Sequence, residues 1–152
     1  MQIEQIKDIL DWTVSYHQQM GQCYEQCASQ SESTRIKMLL DYLASHEQQL
    51  ANAISKYEAI ADPRDLGTWC VEYVNKNPML AHTLCEANLN ELDIHQIVAK
   101  TIDMHDQLID LYVHLAARAP TERTKELFDN LVLLEQKETM RMVRDSESLE
   151  DL

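Results

Sequence analysis

The chain has 152 residues, is 45% hydrophobic and contains only two glycines and three prolines. That is the composition of one compact, helix-rich domain, not of a disordered or fibrous chain. Asp and Glu outnumber Lys and Arg by 26 to 13, for a formal net charge of −13, which repels a phosphate backbone, argues against nucleic-acid binding and attracts cations.

In chain order, apolar residues recur at the helical spacing of three and four in four stretches. The first covers about residues 2–30, with Ile3, Ile6, Leu10, Val14, Met20 and Tyr24 on one face. The start, MQIEQIKDIL, has no basic beginning and no long apolar run. No signal peptide is therefore expected, and the location is read as cytoplasmic. A polar turn near Ser31–Ser33 leads to the second helix, about 33–61, which carries Ile36, Leu39, Leu40, Leu43, Leu50 and Ile54 and stops at Asp62-Pro63, since proline cannot continue it. A long connection, 62–90, follows, in which Thr68–Val74 and Met79–Asn88 are candidate short helices. The third helix, about 91–118, carries Ile94, Val98, Ile102, Leu108, Tyr112 and Leu115, and the fourth, about 121–145, carries Leu127, Phe128, Leu131, Leu134 and Met142. No stretch has the ~20 continuous apolar residues that a membrane span needs.

These elements predict an all-α four-helix bundle in a single domain, 1–146, built from hairpins 2–61 and 91–145, with an acidic tail, 147–152, that frays. None of the four cysteines forms a CxxC pair, so Cys23 and Cys27, one helical turn apart, read as small buried thiols in a reduced protein.

Sliding the chain by 88 positions superposes the two hairpins without a gap: His17 meets His105, Tyr24 meets Tyr112, Arg35 meets Arg123, Asp41 meets Asp129 and Glu47 meets Glu135. Upstream, Ile6, Ile9 and Thr13 meet Ile94, Ile97 and Thr101. Shared helical periodicity would reproduce the apolar matches, but not His, Tyr and Glu at one spacing. The pattern is that of a duplicated helical hairpin.

Four of the repeated groups lie where apolar residues are expected. His17 falls between Val14 and Met20, Glu47 between Leu43 and Leu50, His105 between Ile102 and Leu108, and Glu135 between Leu131 and Met142. Glu138, one turn after Glu135, shares its face. Each group lies roughly 21 Å of helix from its hairpin turn, so antiparallel packing brings His17 beside Glu47 and His105 beside Glu135 at mid-bundle. Burying carboxylates costs several kcal/mol each unless they are paired or bound to a cation. Two readings meet that demand: a site for one or two ions of Fe, Mn or Zn, or hydrogen-bonded His–Glu pairs forming a structural polar layer. Asp103 and Asp106 flank His105, with an outer-partner role only the lesser of two readings, whereas His46, about 100° from Glu47 around the helix, and His82, His95 and His114 read as solvated or boundary residues.

The sequence resembles the ferritin-like superfamily, nearest to rubrerythrin-type bundles, over about residues 3–142. In that family each hairpin carries a Glu on its first helix, a Tyr seven residues later and a Glu-x-x-His on its second. Here His17 and His105 stand in the first-helix Glu places, Tyr24 and Tyr112 follow at the same interval, and Glu47 and Glu135 stand in the second-helix Glu places. Leu50 and Glu138 stand where the family has His. The resemblance implies a metal site made of His17, Glu47, His105, Glu135 and Glu138, backed by Tyr24 and Tyr112. It holds a single ion or an asymmetric pair, because Leu50 offers no ligand. The functional expectation is a metal-binding protein, with redox activity open, whose alternative is a metal-free bundle acting as a structural or interaction module. A homodimer is left open.

Overall fold

The computed structural model describes residues 4–68 and 88–150. Among these residues there are five α-helices: α1 (Ile6–Gln30), α2 (Thr34–Ile60), the single turn α3 (Pro63–Leu66), α4 (Ile94–Ala117) and α5 (Glu122–Glu150), with a 3-10 turn at Leu89–Glu91 before α4. There is no strand among the described residues. No described helix is long and apolar enough to cross a membrane.

The helix starts follow local chemistry. Gln5 and Asp8 form a capping box on α1, and the Ser33 hydroxyl accepts from the Ile36 N–H to start α2. Asp93 and Gln96 cap α4 reciprocally, at 2.8 and 3.0 Å. Each arrangement satisfies N–H groups that a helix start leaves without partners. Because Asp93 is that cap and 89–91 turns as a 3-10 element, α4 begins at Ile94, later than its periodicity suggests. Asp93→Ala should lower stability by about 1 kcal/mol, read as a fall in thermal midpoint with the native spectrum retained.

The expected frayed tail is corrected: α5 runs on to Glu150. Ser146 is buried, the Tyr42 hydroxyl donates to Asp145 Oδ2 at 2.6 Å, and Leu149 packs against the core. Those tertiary contacts hold a segment whose composition alone would leave it loose. The candidate helices Thr68–Val74 and Met79–Asn88 fall almost wholly outside the described residues. The reduced-thiol expectation holds for buried Cys27 and fails for Cys23, which is disulfide-bonded.

Helix directions follow from side-chain pairs. Tyr42 meets Asp145 and Tyr57 meets Asn130, so advancing along α2 means retreating along α5. Tyr16 reaches the Met104 carbonyl and Tyr24 reaches Thr101, so α1 and α4 are antiparallel as well. Each hairpin, α1 with α2 and α4 with α5, is antiparallel through its short turn. The order is therefore up, down, down, up, and the chain has to travel back the length of the bundle between Ile60 and Ile94. The length of the 62–90 connection allows this crossover, and the helix pairing requires it.

The core is filled by Ile9, Leu10, Met20, Leu39, Leu40, Leu43, Leu50, Leu108, Phe128 and Leu131, all 2% exposed or less. At mid-height this apolar filling is interrupted by His17, Glu47, His105 and Glu135, each 0% exposed. Gly21, one turn beyond His17, brings α1 close to α2 there. A Cβ at Gly21 would lie 3.4 Å from the Ala44 carbonyl and 3.6 Å from Glu47 Cβ.

Candidate metal centre

Each of the four long helices brings one fully buried His or Glu to the centre: His17 from α1, Glu47 from α2, His105 from α4 and Glu135 from α5. They meet. His17 Nδ1 lies 2.6 Å from Glu47 Oε2, and His17 Nε2 lies 2.7 Å from Glu135 Oε1. A carboxylate oxygen can only accept, so in the metal-free protein both His17 nitrogens donate and the ring is an imidazolium. Burial opposes that charge, but Glu135 and Glu47 outweigh it and raise the His17 pKa to about 10.

His105 is held from two sides. Its Nδ1–H donates to the Thr101 carbonyl at 2.7 Å, which directs Nε2 inward, 2.9 Å from Glu47 Oε1. A bare imidazole lone pair would repel that oxygen, so without a metal Nε2 also carries a proton. Burial again opposes the charge, and Glu47 raises the His105 pKa in spite of it. Glu47 in turn is disfavoured by burial but held down to about 2 by His105 and His17. The His17 and His105 rings lie 5.5 Å apart between centroids, at 31°.

The cluster is not fully satisfied. His105 Nε2 and Glu47 Oε1 are close enough to form an ion pair but are not aligned for a hydrogen bond, and Glu135 Oε2 has no partner among the described residues. Native proteins leave few such atoms buried, and a bound water or ion is one standard explanation. One ligand atom from each of His17, His105 and Glu135 falls within 4.8 Å of the others. Both imidazoles already have the outer anchor that metal-bound histidines use, with Nδ1 on a carboxylate (Glu47) or a backbone carbonyl (Thr101) and Nε2 turned inward. The donor set therefore fits a transition-metal ion.

Four of the five residues expected in the site converge. The fifth, Glu138, lies outside that group: its Oε2 faces His46 Nδ1 at 3.4 Å and its Oε1 faces Arg141 at 3.5 Å. His46, expected in solvent, is 8% exposed, because it fills the seam between α2 and α5 with its ring 4.4 Å from that of Tyr42. Asp103 and Asp106 are exposed and take no part, while His95 and His114 are exposed as expected. His82 lies outside the described residues.

The two tyrosines expected to back the site turn elsewhere. The Tyr24 hydroxyl bonds Thr101 Oγ1 at 2.6 Å, and that oxygen donates to the Ile97 carbonyl. Tyr112 faces Thr13 in the repeat-related place without closing to a hydrogen bond. Each tyrosine thus reaches across to the other hairpin's threonine, not to a carboxylate of the site. Thr13 and Thr101 carried the needed signal, since they match in the repeat, but a threonine on a helix gives no sign of its partner. Tyr16, at the centre of the α1–α4 contact and edge-on to His17, has no repeat match at all.

No protein-family model, curated protein or solved structure matches this chain.

Proposed function

We propose that this protein is a metal-binding bundle of the ferritin-like kind, holding one transition-metal ion of the Fe, Mn or Zn group at mid-bundle through His17, His105 and Glu135. The observation that carries the reading is the incomplete satisfaction of a fully buried cluster: His105 Nε2, Glu47 Oε1 and Glu135 Oε2 all lack an aligned partner among the described residues. A purely structural polar layer has no reason to leave Glu135 Oε2 unmatched and the His105–Glu47 pair misaligned, because a buried polar atom without a partner costs about 1–3 kcal/mol. The up-down-down-up order with its crossover and the hairpin repeat support the ferritin-like assignment.

Two histidines and one carboxylate suit an ion that keeps positions open for water or a small substrate, with redox activity if it is Fe or Mn. The protein's part is to position and to manage protons. Glu47 Oε2 holds the Nδ1–H of His17, and the Thr101 carbonyl holds the Nδ1–H of His105. Both Nε2 protons must leave before those nitrogens can coordinate. Leu50, 1% exposed, stands where a further ligand would be needed for a second ion of equal standing, so the centre itself holds one ion.

The alternative, a metal-free structural or interaction module, is favoured by the 2.6 and 2.7 Å contacts that already occupy both nitrogens of His17. Elemental analysis of protein purified without chelator separates the two. One equivalent of Fe, Mn or Zn is expected, lost in the Glu47→Gln/Glu135→Gln double variant. A wild-type protein that binds none of the three on reconstitution ends the metal reading.

A further inference from the structure

Beside the central cluster the seam between α2 and α5 carries a second pair of polar groups. His46 neighbours Glu47 on α2, and Glu138 follows Glu135 by one turn on α5. Exposure rises outward along this seam: Glu47 and Glu135 are at 0%, the His46 and Glu138 side chains at 10% and 14%, and Arg141 at 41%. His46 Nδ1 and Glu138 Oε2 face each other at 3.4 Å, yet neither has a hydrogen-bond partner among the described residues. The Tyr42 ring packs on His46, but its hydroxyl is committed to Asp145, so it does not serve the imidazole.

The repeat shows that the pair is an asymmetry. At the 88-residue offset His46 corresponds to Leu134, and Glu138 corresponds to Leu50. The antiparallel register that sets residue 46 opposite 138 also sets Leu50 opposite Leu134. One flank of the central cluster is thus closed by leucines, while the other carries an imidazole and a carboxylate. Bond lengths of about 2.0–2.2 Å from a tetrahedral ion to nitrogen and oxygen put neighbouring ligand atoms roughly 3.4 Å apart, the separation found here.

We propose that His46 and Glu138 form an outer seat for a divalent transition-metal ion, completed by water, through which the ion reaches the central cluster along the α2–α5 seam. This rests on the metal reading of the centre. Arg141, 3.5 Å from Glu138 Oε1, holds the carboxylate with its other oxygen toward His46. A net charge of −13 favours the arrival of a cation from solvent.

The test is titration of the full chain with Co²⁺, following cobalt absorption, paramagnetic broadening of the histidine ring resonances and the rate of filling in stopped flow. Two events are expected: a tight one at His17 and His105 and a weaker one that broadens His46. The His46→Gln/Glu138→Gln variant, with its helix content checked, should lose the weaker ion and fill the centre at least about tenfold more slowly, with central affinity changed by less than about threefold. In His17→Gln/Glu135→Gln the His46 event should persist alone. Filling at the wild-type rate in the seam variant, or absence of His46 broadening in the wild type, overturns the outer seat. Broadening at His46 with none at His17 and His105 removes the central reading instead.

Discussion

Glu47→Ala should destabilise the protein by about 3–5 kcal/mol, because removing one member of a buried charged network leaves its partners uncompensated. Among the described residues Glu47 is the only carboxyl that touches both imidazoles, at 2.6 Å to His17 Nδ1 and 2.9 Å to His105 Nε2. All of these groups are 0% exposed, so no solvent can replace it. Against a total stability of about 5–15 kcal/mol for an ordinary domain, this single change takes a large share. The check is the urea midpoint with the slope held under scrutiny, since a changed slope would signal loss of two-state behaviour. The converse substitution sharpens the result. Replacing His17, Glu47, His105 and Glu135 together by leucine should match the wild type or exceed it by about 1–4 kcal/mol, because an apolar layer avoids the desolvation that the polar one must overcome. That variant should hold no metal. If it were instead much less stable than the wild type, the polar layer would be there for stability and no functional role would be needed to explain it.

The stabilisation that a bound ion gives should grow with pH above about pH 6.5, where the metal-free protein weakens. The His17 pKa is raised from 6.5 to about 10, so its contribution is complete below 6.5 and is lost as the pH climbs through 10. Glu47 is depressed from 4.5 to about 2, so its contribution is present above 4.5 and is lost as the pH falls through 2. The metal-free form is therefore most stable between about pH 4.5 and 6.5 as far as these two groups decide it. Binding an ion requires the imidazole nitrogens to give up protons, so affinity climbs with pH over the range in which the metal-free form weakens. The gain in thermal midpoint on adding Zn²⁺ should grow steadily from pH 6 to pH 9, with up to about two protons released per ion bound. Calorimetry in buffers of different ionisation enthalpy counts those protons. A gain that is flat with pH would mean that the ion sits away from His17 and His105.

The four helices could be read from the chain because an amphipathic period and a proline stop are local properties, each written in a short window of sequence. The convergence of His17, Glu47, His105 and Glu135 could also be read, because helical rise is constant and the two hairpins count equally from their turns. Other features could not. Whether His46 lies in solvent or in a seam depends on where α5 lies around α2, and a residue 100° off the core face can be covered by either of two neighbours. The same holds for Glu138, which shares a helix face with Glu135 but turns to His46 and Arg141. Residues 147–150, polar and acidic, look unable to hold a helix by themselves, yet Ser146 is buried and Leu149 packs inward once α2 is alongside.

The sequence by itself determined the helices and the inward direction of one His or Glu on each. Those depend on the spacing of residues along one element. The tertiary structure alone decided the crossover order of the helices, the partner of each tyrosine, and which carboxylates share a site. Those depend on the angle at which one helix faces another, which is set by the packing of both surfaces and is written in neither helix alone.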